Sequence, residues 1–190
     1  ILPEFFLKEK NFYIKKQRNY FVDSKIVLPK KYGLIIDAGV NIKFSNGSYI
    51  FIEDGFIEIN GSESDHVYLS AKDNYWSGLH LSNCIKPSKI KYTNFSNLNY
   101  FKHSSIQLTG GINFYNCEID ISNSKFRNSF SEDFINIINS NFTIENIELY
   151  NSNSDAIDLD FANGNIKNAY LSNIKGDAID TSGSKIILTD

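Results

Sequence analysis

The stretch SDAIDLD at 154–160 returns as GDAIDTS at 176–182, and the interval between the two copies decides the fold. DFIN at 133, DAID at 155 and DAID at 177 stand 22 residues apart at each step. A second register runs through IKYTNFSN from 90, ISNSKFRN from 121, IENIELYN from 144 and IKNAYLSN from 166. Each has Ile, then Phe or Leu five positions on, then Asn two further on. The last two steps of this register are 23 and 22 residues and the first is 31, which predicts an insertion in that coil. A fixed period of this size marks a stack of equivalent structural units.

The unit itself is built from strands. Ile157 and Leu159 alternate with Asp158 and Asp160, the period of a strand with one buried face. Asn, Gly, Ser and Asp punctuate the short apolar runs and supply turns. Three short strands with their turns fill about 22 residues, one coil of a parallel β-helix, with each coil about 4.8 Å above the last. Equivalent positions then stack as columns. Ile90, Ile121, Ile144 and Ile166 form one inward column, and Phe95, Phe126, Leu149 and Leu171 form another. Asn97, Asn128, Asn151 and Asn173 form a third, at a bend where Asn accepts left-handed dihedrals and passes amide hydrogen bonds from coil to coil.

Residues 1–30 are expected to cap the open edge of this stack, with the β-helix over 31–190. Ile186 and Leu188 in KIILTD fall one period after Gly164 and Ile166, so the last coil is expected to continue past Asp190. Further coils or self-association would cover that end.

Composition narrows the partners. With 19 basic and 22 acidic residues the net charge is −3, which argues against nucleic acid and anionic membranes. No apolar run reaches the roughly 20 residues of a membrane span. The opening ILPEFFLKEKNF has neither a basic leader nor a small-residue cleavage site. Together with the absence of Met, this suggests a mature product or a fragment. Cys84 and Cys117 have no metal-ligand spacing, and unpaired cysteines are usually buried. They are therefore read as buried free thiols.

The combination LIIDAGVNIKF with DGFIEINGS, then YWSGLHL, then repeated I-x-N-x-x-L-x-N and DAID resembles the right-handed parallel β-helix proteins of the pectin-lyase-like superfamily, in particular secreted or surface bacterial repeat proteins. The resemblance covers about residues 25–190. It implies an all-β, right-handed solenoid at the cell surface or outside the cell, with polysaccharide or another surface protein as partner. Activity does not follow from fold, because such a scaffold hosts several chemistries and none.

A five-rung series, GLHL at 78, SIQL at 105, FINI at 134, AIDL at 156 and AIDT at 178, places His80, Gln107, Asn136, Asp158 and Asp180 in one outward column. Two carboxylates one coil apart repel by about 0.9 kcal/mol in water and more at lower dielectric. Asp155, Asp158, Asp160, Asp177 and Asp180 are the candidate ligands of a compensating cation, and calcium is the ion that all-oxygen ligands suit. Lyases resembling this fold hold calcium on such a face and use a basic residue for proton abstraction. Asp158, Asp180 and Lys175 are the candidate catalytic set here. The competing reading has these aspartates capping turn amides and discouraging lateral aggregation. Trp76 in YWSG is read as a buried anchor. Two functions follow: a non-catalytic binding module of a larger secreted or surface protein, or a calcium-dependent polysaccharide lyase.

Overall fold

In a computed structural model describing residues 6–15, 19–103 and 106–190, successive coils pair in parallel at the predicted step. Ile157 lies opposite Ile135, and Ile179 opposite Ile157. The fold is an all-β parallel solenoid. Three walls enclose its core. The first two belong to one thirteen-stranded sheet, and the third is a seven-stranded sheet with one strand per coil.

The first two walls are continuous because the strands Glu118–Ser129, Asn141–Ser152 and Asn163–Ile174 run through both. Asn123, Asn146 and Asn168 turn the corner between them with φ of 49°, 54° and 51°. Asn is one of the few L-residues that adopts this region at small cost. A second line of left-handed residues, Asn97, Asn128, Asn151 and Asn173, closes the second wall with φ of 59°, 63°, 61° and 57°. Their side chains form the predicted ladder, Asn128 donating to Asn97 at 2.8 Å, Asn151 to Asn128 at 2.9 Å and Asn173 to Asn151 at 2.7 Å. The corner line repeats the device, Asn168 donating to Asn146 at 2.9 Å and Asn146 to Asn123 at 3.3 Å.

Inside, Ile90, Ile121, Ile144 and Ile166 form one register column and all are buried. Phe95 stacks face to face on Phe126 at 5.3 Å, with Leu149 buried on the next coil. Each such side chain contributes about 1.5–3 kcal/mol on leaving water. Trp76 is fully buried, stacks on Phe44 at 4.1 Å and donates its indole N–H to the Ser96 carbonyl at 3.1 Å. Corners would leave backbone N–H groups unpaired. Inward serines meet this need: Ser88 accepts from the Ile57 amide, Ser124 from Thr93 and Ser140 from Cys117.

Three expectations change. The stack begins before residue 31: Asn11–Ile14, Asn19–Val22 and Ile26–Val27 pair in parallel with the coil that follows. Alternating Tyr20 and Val22 are buried like any later rung. What covers the edge of Asn11–Ile14 is Phe6–Lys8, which pairs with it antiparallel. Residues 1–5 and 16–18 of the expected cap lie outside the described residues.

SIQL is not a rung. The strand opposite Leu79–Ser82 is Gly110–Tyr115, with His80 against Asn113, and it continues in register to Asn136. Ile106–Leu108 forms instead an antiparallel hairpin with Phe101–His103, and this hairpin is the insertion that lengthens the coil. Both segments alternate apolar and polar residues, so the pattern alone fits either.

Cys84 and Cys117 are not free thiols. They form a disulfide across adjacent coils, with Cα atoms 4.7 Å apart. Neighbouring Asn83 and Asn116 occupy one corner position on successive coils, Asn116 donating to Asn83 at 2.9 Å. The next residue of each coil is a cysteine, so coil stacking itself brings the two sulfurs together.

Candidate functional site

The outer face of the third wall carries the column Phe51, His80, Asn113, Asn136, Asp158 and Asp180. The register confirms every predicted member except Gln107, whose place Asn113 takes. The column is not uniformly solvated. His80, Asn113 and Asn136 are buried, and the inserted hairpin sets Phe101 on His80 at 4.6 Å.

The buried rungs satisfy one another. His80 Nε2 meets the Ser77 carbonyl at 2.5 Å, and its Nδ1 faces the Asn113 amide nitrogen at 2.9 Å. Burial pushes the imidazole down to about 4, against a smaller opposing effect of the Ser77 bond. The ring is therefore neutral at ordinary pH.

At the acidic rungs, Asn136 Nδ2 lies within hydrogen-bond distance of three acceptors: Asp158 Oδ2 at 2.9 Å, Asp133 Oδ2 at 3.1 Å and Thr109 Oγ1 at 3.2 Å. An amide nitrogen has two hydrogens for these three, while Asn136 Oδ1 is buried without a partner. A proton on Asp158 relieves the excess of acceptors. Asp158 is in fact pushed up to about 7, first by burial and then by Asp133, Asp160, Asp180 and Asp155.

Two of the other aspartates cap amides. Asp155 Oδ1 accepts from the Asp177 amide at 2.7 Å, and Asp180 Oδ1 from the Thr181 amide at 2.7 Å. Gly176 makes room for the first of these, since a Cβ there would sit 2.0 Å from Asp155 Oδ1. This is why SDAID becomes GDAID on the following coil. Asp160 lies opposite Ser182. Among the described residues no group of three or more His, Cys, Asp or Glu side chains is arranged to hold a metal ion. Of the five candidate ligands, Asp155, Asp158 and Asp160 lie on one strand, and Asp177 and Asp180 on the following coil.

Lys175 is not brought to the acidic rungs. Its Nζ donates to Asn153 Oδ1 at 2.9 Å, on the neighbouring corner. Lys167 pairs with Glu145 at 3.0 Å, and Arg127 lies over the Tyr150 ring at 5.3 Å. Among the described residues no ion pair reaches Asp158 or Asp180.

The second wall presents a different surface, which sequence reasoning did not single out. Its outward columns are Tyr68, Asn94, Lys125, Glu148 and Tyr170, and beside them Ser96, Arg127, Tyr150 and Ser172. Lys125 binds Glu148 at 2.8 Å and holds its carboxyl below the usual range. Tyr150 donates its hydroxyl to Glu148 at 3.0 Å and lies 5.6 Å from the Tyr170 ring. The two asparagine ladders border this face on either side. Along the corner ladder runs an open cleft of ≈ 340 Å³ lined by His66, Tyr92, Lys125, Asn146 and Glu148, among others. The signal was available: Tyr68, Tyr150 and Tyr170 occupy outward positions of the period that put Phe126 and Leu149 inside.

No protein-family model, curated protein or solved structure matches the chain. The β-solenoid architecture accordingly rests on its own register and burial.

Proposed function

We propose that the chain is a non-catalytic binding module of a secreted or cell-surface protein, and that its second wall binds polysaccharide. The observation that carries this reading is the surface itself: Tyr68, Tyr150 and Tyr170 lie on its outward columns, with Tyr68 47% and Tyr170 58% exposed, among the carboxylate of Glu148, the cations of Lys125 and Arg127 and the carboxamide of Asn94. Aromatic faces pack against the apolar faces of sugar rings, and fixed polar groups bond the hydroxyls. The pectin-lyase-like resemblance, with its right-handed winding, supports the same ligand class. The disulfide supports a location in an oxidising compartment.

The alternative, a calcium-dependent lyase at Asp155, Asp158, Asp177 and Asp180, has in its favour the proton held on Asp158, since shifted carboxyls are a mark of acid–base sites. Against it, Lys175 donates to Asn153 on the neighbouring corner.

The test is affinity electrophoresis of the protein in gels containing soluble neutral and uronate polysaccharides. Retardation that Tyr150→Ala/Tyr170→Ala abolishes and Asp158→Asn leaves intact supports the second wall. Retardation with the opposite dependence, or release of unsaturated ultraviolet-absorbing products, would overturn it.

A further inference from the structure

The hairpin of Phe101–His103 and Ile106–Leu108 is a sheet of its own, not paired with either large sheet. It rests on the third wall through Phe101, whose ring lies 4.7 Å from Tyr49, 4.6 Å from His80 and 5.9 Å from Phe51. A rung of the solenoid is bonded to the coils above and below. Among the described residues, Phe101–His103 and Ile106–Leu108 show no such ladder, so these two strands belong to the part of the fold that opens at least cost.

His80, 1% exposed, sits where the hairpin meets the wall. A carbonyl only accepts, so the bond to Ser77 puts the hydrogen on Nε2, and the Asn113 amide then needs the Nδ1 lone pair. Geometry alone therefore fixes the neutral tautomer. Asn113 is tied in turn to Gly110, the first residue of the strand that returns from the hairpin. Its Nδ2 donates to the Gly110 carbonyl at 2.6 Å and its Oδ1 accepts from the Gly110 amide at 3.2 Å. Imidazole, amide and the base of the hairpin form one connected unit.

We propose that His80 is a proton-operated latch: a proton taken up at Nδ1 expels the Asn113 amide, charges the space beneath Phe101 and lifts the hairpin off the third wall. Among the described residues the surroundings offer the imidazolium no carboxylate in exchange. The ring opposite is Tyr49, with the Lys25 ammonium over it at 5.6 Å. The next rung is the neutral Asn113 and the previous one Phe51. Lys102 lies exposed on the hairpin, on the same strand as His103. Burial and the Ser77 bond shift the ring, and among the described residues no carboxylate is in hydrogen-bond or ion-pair contact with it. With the hairpin open the imidazole returns to water and to its ordinary pKa, so the open form gains roughly tenfold per pH unit as pH falls below about 6.5. The gain stops near the closed-state value of about 4. Opening would bare Tyr49 and Phe51 beside the polar column.

The experiment follows imidazole nitrogen resonances by NMR together with amide exchange, corrected for intrinsic rates, between pH 7 and pH 4. The expected result is a His80 ring that stays in the Nε2–H form well below pH 6.5, with hairpin amides losing protection roughly tenfold per pH unit while those of Asn141–Ser152 do not. His80→Gln should abolish the pH dependence. Asn113→Asp, which offers the imidazolium a carboxylate, should raise the His80 titration and keep the hairpin closed in acid. Titration of His80 near 6.5 with the hairpin protected throughout would overturn the proposal. So would equal loss of protection in His80→Gln, or simultaneous loss in Asn141–Ser152.

Discussion

Asn136 donates to Asp158 on the next coil at 2.9 Å with the amide nitrogen that also reaches Asp133 at 3.1 Å. Two carboxylates of different coils therefore lean on one neutral amide, and among the described residues no ion pair reaches Asp158. The folded chain holds a proton on Asp158 up to about pH 7, whereas an unfolded aspartate releases it near 4. Between these values the folded state binds more protons, so stability contributed by the protonated form is full below about pH 4 and falls as pH rises towards 7. Asp158→Asn mimics the protonated carboxyl and should remove that loss. After discounting for solvent screening at this half-exposed site the gain above pH 7 is about 1 kcal/mol, or roughly 2–4 °C in Tm. Thermal unfolding of both proteins at pH 5 and pH 8.5 checks this: the curves should coincide in acid and separate in alkali.

Calcium offers a second measurement on the same rungs. Asp155, Asp158 and Asp180 already bond amide groups, so millimolar calcium should leave Tm where an equal ionic strength of magnesium or sodium puts it. A ligand binding only the folded state at 100 times its Kd would add about 2.7 kcal/mol. A calcium-specific rise of that order, lost in Asp158→Asn/Asp180→Asn, would show that these carboxylates can gather around an ion.

Reducing Cys84–Cys117 should destabilise the fold without dissolving it. The bridge closes a segment of 33 residues, for which the loop-entropy model gives roughly 3–4 kcal/mol. Urea unfolding with and without a phosphine reductant measures the difference. Cys84→Ser/Cys117→Ser should match the reduced parent.

The ladder separates backbone from side-chain effects at one position. Asn128 has a φ of 63° and bonds Asn97 on one side and Asn151 on the other. Asn128→Gly keeps the dihedral and loses the amide bonds, a cost of about 1–2 kcal/mol. Asn128→Ala adds left-handed strain of about 1–2 kcal/mol. Chemical denaturation should rank them parent, then Gly, then Ala; an equal cost for both would mean that the dihedral carries no penalty here.

Legibility in the sequence followed locality. Ile90, Ile121, Ile144 and Ile166 could be aligned because the core demands the same residue at the same place in each coil. Asn97, Asn128, Asn151 and Asn173 could be read because a left-handed bend and an amide relay both favour Asn. The disulfide was hidden by the reverse condition: nothing in a spacing of 33 residues is diagnostic until Asn83 and Asn116 are known to share a corner, and that needed the rung Gly110–Tyr115 in place of SIQL. The packing of Phe101 on His80 comes from an inserted hairpin, a contact that no period encodes. For Asp158 the residue was legible but its state was not, since the proton depends on how many acceptors surround Asn136.

The cross-coil disulfide also sets a mechanical property. Pulled along its axis, a solenoid pays out chain one coil at a time as each ladder shears. The chain between Cys84 and Cys117, a sequence separation of 33, cannot be paid out while the bridge is intact, so the oxidised molecule should extend roughly 110 Å less than the reduced one at full stretch. The coil that carries the hairpin is thus held at near-constant length under a load that unravels its neighbours.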